Sequence, residues 1–286
     1  MTMSEQQNVN NILVDISNPL EIKNKVFNNK LLQESVINKK ISDFYNIITK
    51  SIIELTNKSI SKESFLLLGD DHISESSILR AKSNNIYTGI NQKNRKPSNI
   101  DYDYQTIRLD ASKIIDKSYK PLYDLKLVCD QIRQNGSKFI LELIIKPSEK
   151  DLKNFGEEND VDKIMLVNIV ENLHNFSVNP DIWIIGENTD SDFISTASAM
   201  IHLDDRKNSI LIRNSSTYYK KPNTPKTFGK SYGINGVVIS DYNYELILKD
   251  FLNEKISEKD FSNTIFTDIL NTYNNLENSN KIYELL

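Results

Sequence analysis

The residues best suited to carbonyl chemistry lie in or just after short apolar runs of this 286-residue chain. Glu142 interrupts the apolar run 139–145, Lys146 follows that run, and Lys93 follows the weaker run 86–90. A lysine activated by burial or by a neighbouring cation can form an iminium with a ketone, and a carboxylate can move protons. Glu142, Lys146 and Lys93 are therefore candidate catalytic residues. The alternative is structural: a buried, paired glutamate and two exposed lysines.

A second group of polar residues also follows apolar runs and could bind a ligand: Asp70, Asp71, His72, Arg213 and Ser240. Carboxylate and imidazole groups can hold a metal, but three adjacent residues rarely converge on one ion, and aspartate is common in turns and helix caps. We therefore expect no metal here. No Walker loop, dinucleotide glycine fingerprint, serine elbow or zinc-ligand spacing occurs in the sequence, and we expect no cofactor.

The elements that must position these residues are eight short apolar runs that alternate with helical patterns, which is typical of repeated βα units and a parallel sheet. About 250 residues are usual for a (β/α)8 barrel, so we predict an α/β fold with a single TIM barrel. An open doubly wound sheet is the competing arrangement. The predicted strands are 12–16, 65–68, 86–90, 106–109, 139–145, 181–185, 209–212 and 236–239.

Barrel closure has a consequence for the candidate residues, because the carboxyl ends of barrel strands meet at one mouth. We expect Glu142, Lys146, Asp70, Lys93 and Arg213 to converge there. No composition break divides the chain, so residues 11–286 are predicted to form one domain, and the polar residues 1–10 are predicted to be disordered.

Composition excludes several classes of partner. The net charge is −4, with acidic and basic residues interspersed, which favours neither nucleic acid nor an anionic membrane surface. No apolar run approaches the ~20 residues that span a bilayer. Cys129 is the only cysteine, so no internal disulfide can form and a cytoplasmic location is expected. Self-association and a protein partner both stay open.

Several segments, taken in order, resemble one family. They are ILVDIS at 12–17, FLLLGDDH at 65–72, KFILELIIKP at 138–147, PDIW at 180–183 and FLNEKIS at 251–257. This series resembles the aldolase-like domain fused behind 5-dehydro-2-deoxygluconokinase, which is similar in turn to tagatose-bisphosphate aldolases. The resemblance implies a class I carbon–carbon lyase for sugar phosphates. The family's strand-five glutamate is present as Glu142, and its acidic pair after strand two is present as Asp70 and Asp71.

This chain departs from the family pattern at the positions that carry its chemistry. Ile184 stands where the resemblance places the Schiff-base lysine, and Thr106 stands where strand four has a lysine. The first strand ends in Asp15-Ile16-Ser17 instead of an Asp-His-Arg type, and Ser240-Asp241-Tyr242 replaces a Gly-Arg-Thr phosphate cradle.

These departures predict a barrel that is silent in the family reaction and is kept as a binding or regulatory module for a sugar-phosphate-like ligand. Two alternatives remain from the sequence. One is an active sugar-phosphate lyase with a relocated lysine, and the other is a structural scaffold for a protein partner.

Overall fold

The computed structural model describes residues 11–27, 33–58, 60–70, 73–91, 101–111, 120–147, 149–155, 158–186, 191–206, 208–214 and 234–283. Eight parallel strands form a closed barrel in chain order, and the eighth pairs with the first. The strands are β1 Asn11–Asp15, β2 Phe65–Gly69, β3 Tyr87–Asn91, β4 Tyr104–Asp110, β5 Lys138–Ile144, β6 Ile182–Ile185, β7 Ser209–Asn214 and β8 Ile234–Ser240. The predicted TIM barrel is confirmed, and the open doubly wound sheet is wrong.

Helices lie between the strands and after β8 in the described ranges. They are α1 Pro19–Phe27, α2 Glu34–Lys58, α3 Glu75–Ser83, α4 Lys120–Gln134, α5 Glu149–Phe155, α6 Glu158–Asn175, α7 Ser191–Ile201, α8 Glu245–Leu252 and α9 Glu258–Tyr283. Short 3-10 turns occupy Lys62–Ser64, Leu203–Asp205 and Asp241–Tyr244. In the part of the chain that the structure describes, no helix is long and apolar enough to cross a membrane.

Both faces of the strands are buried, which explains the unbroken apolar runs in the sequence. On β1, Ile12 and Val14 pack outward against the helices, whereas Leu13 packs inside the barrel. The helix α2 covers this outer face with buried residues at three- and four-residue spacing, among them Ile41, Phe44, Tyr45, Ile48 and Ile52. The result is one apolar layer between sheet and helices and a second inside the barrel.

The barrel interior changes character along its axis. Its apolar residues include Leu13, Leu66, Ile182 and Leu211. Toward the carboxyl ends, the inward positions on several strands are charged, as at Asp15 on β1. Strand β4 begins two residues before the predicted 106–109 run and ends one residue after it. This extension includes Tyr104, which makes β4 long enough to run through both parts of the interior.

One predicted segment falls outside the described residues, two helices were not predicted, and one strand differs in its bounds. Residues 1–10, predicted to be disordered, lie outside the described ranges. Helices α1 and α5 were not predicted, and both are short, with nine and seven residues. Strand β7 continues past the predicted 212 to Asn214, so Arg213 is part of the strand and does not follow it.

Candidate functional site

Four charged side chains meet inside the barrel at its carboxyl end, and we call them the ion tetrad: Asp15, Arg108, Glu142 and Arg213. Arg108 places Nη2 2.5 Å from Asp15 Oδ2 and Nε 2.5 Å from Glu142 Oε2. Arg213 repeats this arrangement, with Nη2 2.9 Å from Asp15 Oδ2 and Nε 2.5 Å from Glu142 Oε1. Each carboxylate therefore lies between both arginines, and the four formal charges cancel.

Strand alternation positions the tetrad. Asp15 is the last residue of β1 and lies two residues after the inward-facing Leu13, so it points to the same side. Arg108 and Glu142 are register partners on β4 and β5. Arg213 comes from β7, which is separated from β5 by β6. Pairing of β4 with β5 brings Arg108 to Glu142, whereas closure of the barrel is needed to bring Asp15 on β1 into contact with them.

The carboxylates of the tetrad lie deeper than the arginines. The side chain of Asp15 is 0% exposed and that of Glu142 is 4% exposed, whereas Arg108 and Arg213 expose 17% and 12% of their side chains. Burial by itself would raise the pKa of Asp15. Arg108, Arg213 and hydrogen bonds from Ser17 outweigh burial and lower the pKa of Asp15 to about 2. Asp15 is therefore an anion at neutral pH.

The arginines stay protonated for the corresponding reason. Burial acts to lower the pKa of both guanidinium groups, but the adjacent Asp15 and Glu142 raise the pKa of Arg108 and of Arg213 above the usual arginine value. Each arginine makes its two tetrad contacts through Nε and Nη2, so neither Nη1 atom takes part in the tetrad. Guanidinium groups bind carboxylate and phosphate well. The partly exposed edges of Arg108 and Arg213 can serve that purpose.

Polar neighbours extend the tetrad toward β3. Ser17 donates its hydroxyl to Asp15 Oδ1 at 2.6 Å and its backbone N–H to the same oxygen at 3.0 Å. Asn91, the last residue of β3, donates its amide to the Ser17 hydroxyl at 3.2 Å. Asp15 therefore carries four polar contacts in addition to its burial, which holds its carboxylate in one orientation.

The position where the resemblance places a Schiff-base lysine is apolar. Ile184 is fully buried, belongs to the interior cluster of the barrel, and is the register partner of Glu142. Thr106, where the resemblance places another lysine, is fully buried as well, and its hydroxyl has no hydrogen-bond partner among the described residues. Neither side chain can form an iminium with a carbonyl substrate.

The structure brings together only some of the residues singled out from the sequence. Glu142 and Arg213 are in direct contact. Asp70 accepts hydrogen bonds from the Ser74 backbone N–H at 2.9 Å and from the Ser74 hydroxyl at 2.8 Å. Asp70 therefore stabilises the turn before α3, as aspartate commonly does. Lys146 is exposed, two residues beyond the end of β5.

The remaining candidates are placed as follows. Ser240 ends β8 and donates its backbone N–H to Asn243 Oδ1 at 2.9 Å. Asp71, His72 and Lys93 lie outside the described residues. Their catalytic or ligand-binding roles therefore stay predictions. Within the described ranges, no group of three His, Cys, Asp or Glu side chains could hold a metal ion.

Asp241 has a structural contact that the sequence did not suggest. It is buried, and the Tyr45 hydroxyl on α2 donates to its Oδ2 at 2.7 Å. Burial, followed by the nearby Asp241 carboxylate, raises the pKa of Tyr45 well above the usual tyrosine value. Tyr45 therefore stays a neutral hydrogen-bond donor and links α2 to the turn after β8.

Sequence reasoning missed Arg108 altogether and treated Asp15 only as a departure from the family pattern. A usable signal was present, because Arg108 lies at even spacing from Tyr104 and Thr106 and shares their face of the strand. A charged residue on the inner face of a barrel strand needs a partner of opposite charge. Glu142 on the adjacent predicted strand supplied the matching charge.

The fold and the tetrad define a (β/α)8 barrel whose carboxyl-end interior is charged but balanced. No protein-family model matches the chain, and no curated protein matches it.

Solved structures of similar fold include Cgl0159 from Corynebacterium glutamicum, with TM-score 0.49, 8% identity and coverage of 90% of this chain and 89% of that one. A fructose-bisphosphate aldolase from Slackia heliotrinireducens has TM-score 0.46, 12% identity and coverage of 90% and 85%. GGGPS from Thermoplasma volcanium has TM-score 0.47, 11% identity and coverage of 94% and 92%. These likenesses concern the fold alone.

Proposed function

We propose that this chain is an aldolase-like barrel that is silent in the class I aldol reaction and binds a small sugar-phosphate-like anion at its carboxyl end. The observation that carries the proposal is Ile184, a buried aliphatic side chain inside the barrel next to Glu142. An iminium needs an amine at the reacting carbonyl. The tetrad, which includes the register partner of Ile184, supplies two guanidinium groups and two carboxylates instead.

Arg108 and Arg213 support the binding part of the proposal. Their guanidinium groups are the partly exposed members of the tetrad, whereas Asp15 and Glu142 lie beneath them. A phosphate or carboxylate that approaches from the mouth therefore meets donors first. Because the tetrad is neutral as a whole, the attraction comes from donor geometry more than from net charge.

The alternative is an active lyase with a relocated lysine. Lys146 is the described candidate, and its exposed position beyond β5 weighs against this function, because burial or a cationic neighbour is what activates a Schiff-base lysine. The scaffold alternative makes a different prediction, since it requires no ligand at the barrel mouth.

Borohydride trapping tests the silent part of the proposal. The protein is incubated with dihydroxyacetone phosphate and sodium borohydride, which reduces any iminium to a stable secondary amine, and its intact mass is measured. We expect an unchanged mass. A single adduct mapped by peptide sequencing to Lys146 or Lys93 would establish the relocated-lysine enzyme and overturn this part.

Calorimetric titration with dihydroxyacetone phosphate tests the binding part. We expect saturable binding that weakens at least tenfold in Arg213→Gln, because the variant removes one of the two guanidinium donors. Lys249→Gln is the matched control, since it removes one positive charge from a surface pair with Glu245 on α8. Circular dichroism verifies that Arg213→Gln is folded. Absence of binding to the wild-type protein would overturn this part and favour the scaffold.

A further inference from the structure

A cavity of about 240 Å³ opens at the amino end of the barrel, the end opposite the ion tetrad. Its rim includes the first residues of four strands: Tyr87 of β3, Tyr104 of β4, Lys138 of β5 and Ser209 of β7. The tetrad, by contrast, comes from the later residues of its strands. The two sites therefore use different residues and open to solvent at different ends.

The part of this cavity inside the barrel is apolar, whereas its rim carries polar and aromatic side chains. Leu13, Leu66, Ile182 and Leu211 line it from inside the barrel. At the rim, the rings of Tyr87 and Tyr104 pack edge to face, with centroids 6.0 Å apart and an interplanar angle of 83°. Tyr87 is 39% exposed, so its ring is open to solvent at this end of the barrel. Because the two rings are nearly perpendicular, a flat apolar ligand could stack on one of them and contact the edge of the other.

Lys138 provides the cation. Its Nζ lies 5.6 Å from the centroid of the Tyr104 ring, and among the described residues no carboxylate lies within ion-pair distance of it. Lys138 also lines an adjoining cavity of about 270 Å³ that shares Tyr104, Ile182 and Ser209 and adds Arg133. The ammonium group is thus located between two spaces that a ligand can reach from the same end of the barrel.

The acidic residues nearby limit the charge of the ligand. Glu63 lines the 240 Å³ cavity and Asp181 lines the adjoining one. The Asp181 carboxylate already accepts the Phe139 backbone N–H at 2.8 Å. Lys138 and Arg133 balance these two carboxylates, so the lining of the two cavities is neutral overall. A single negative charge on the ligand is therefore favoured over the double charge of a phosphate monoester.

The volume of the amino-end cavity also limits the size of the ligand. Pockets for drug-sized molecules measure roughly 300–1,000 Å³, and this cavity, at about 240 Å³, is smaller. We propose that the amino end of this barrel binds a monoanionic aromatic acid with one ring. The ring packs on Tyr87 and Tyr104 above the apolar lining, and the carboxylate pairs with Lys138. This site is independent of the proposed function at the carboxyl end.

Calorimetric titration with benzoate, and with benzamide as its neutral isostere, tests this site. We expect saturable benzoate binding, with benzamide about tenfold weaker because it carries no charge and cannot form an ion pair with the Lys138 ammonium group. Lys138→Gln should weaken benzoate about tenfold and leave benzamide unchanged, whereas Tyr87→Ala should weaken both. Both substituted side chains are exposed, so the variants should fold, and Lys249→Gln controls for the loss of one surface charge.

Competition separates this site from the carboxyl-end site. Saturating dihydroxyacetone phosphate should leave the benzoate affinity unchanged, and Arg213→Gln should do the same. Three results would overturn the amino-end site: no saturable benzoate binding, equal affinity in Lys138→Gln, or displacement of benzoate by dihydroxyacetone phosphate. The benzoate titrations of the wild-type protein and of Lys138→Gln do not depend on the outcome of the borohydride trapping or of the titration with dihydroxyacetone phosphate.

Discussion

Replacing Asp15 with asparagine keeps the shape of a fully buried side chain but removes one of the two carboxylates of the ion tetrad. In the variant, Arg108 and Arg213 share Glu142 alone, so two buried cations face one anion. Removing one partner of a buried ion pair costs about 3–5 kcal/mol because it leaves a charge uncompensated. We therefore expect Asp15→Asn to destabilise the barrel strongly.

The pKa of Asp15 gives an independent measure of the same interaction. The folded protein lowers it from 3.8 to about 2, which corresponds to about 2 kcal/mol of stability from ionised Asp15. This value already includes the hydrogen bonds from Ser17, which are among the causes of the lowered pKa. The expected loss for Asp15→Asn at neutral pH is thus about 2–5 kcal/mol.

The sign of the pH dependence follows from the lowered pKa. A carboxyl group with a lower pKa in the folded state than in the unfolded state contributes its full stability above the unfolded value of 3.8. That contribution is lost as the pH falls toward about 2. The difference in unfolding free energy between the wild-type protein and Asp15→Asn should therefore be constant above about pH 5 and shrink below about pH 4.

Urea unfolding followed by circular dichroism, repeated from neutral to acidic pH, measures both effects. Glu21→Gln is the matched control, because it removes a carboxylate from an exposed pair in which Lys25 lies 2.9 Å away, and such pairs contribute about 0.3–0.5 kcal/mol. If Asp15→Asn costs no more than Glu21→Gln, or if its cost does not change with pH, the account of the tetrad is refuted.

Three further predictions concern buried groups away from the tetrad. Tyr45→Phe removes the hydrogen bond to buried Asp241 and should cost about 1–3 kcal/mol in urea unfolding. Gly69→Ala places a Cβ 2.5 Å from the Ser74 hydroxyl oxygen and 2.7 Å from an Ile78 carbon. The variant should therefore melt at a lower temperature, with an unfolding free energy lower by about 1–3 kcal/mol. The Cys129 thiol is buried, and burial raises its pKa; it should react with a disulfide reagent only after the protein unfolds.

Controls for these predictions come from the same chain. Gly186→Ala meets only the Leu143 carbonyl oxygen at 3.6 Å, an ordinary contact, and should lose less stability than Gly69→Ala. Tyr244→Phe removes a longer, 3.2 Å hydrogen bond that is only partly buried, so it should cost less than Tyr45→Phe. Equal losses within either pair, or reaction of Cys129 at the same rate in native and unfolded protein, would contradict the burial argument.

Local sequence was sufficient to predict the eight strands, because most of them are short apolar runs whose two faces are both buried. Helix α2 was predictable for a similar reason, since its buried residues recur at helical spacing. Helices α1 and α5 were not predicted; each spans only two turns, too short for a periodic pattern to stand out. The bounds of β4 were also misjudged, because its inner face carries Thr106 and Arg108 where a buried strand is usually apolar.

The sequence by itself determined the barrel architecture and the charges available to its interior. It also indicated that Glu142 and Arg213 belong to the carboxyl end, since both lie in or next to predicted strands. Only the tertiary structure decided that Asp15 and Arg108 complete a neutral tetrad with them. The physical reason is barrel closure: pairing β8 with β1 brings β1 within reach of β4, β5 and β7 across the interior, and no local pattern encodes that distance.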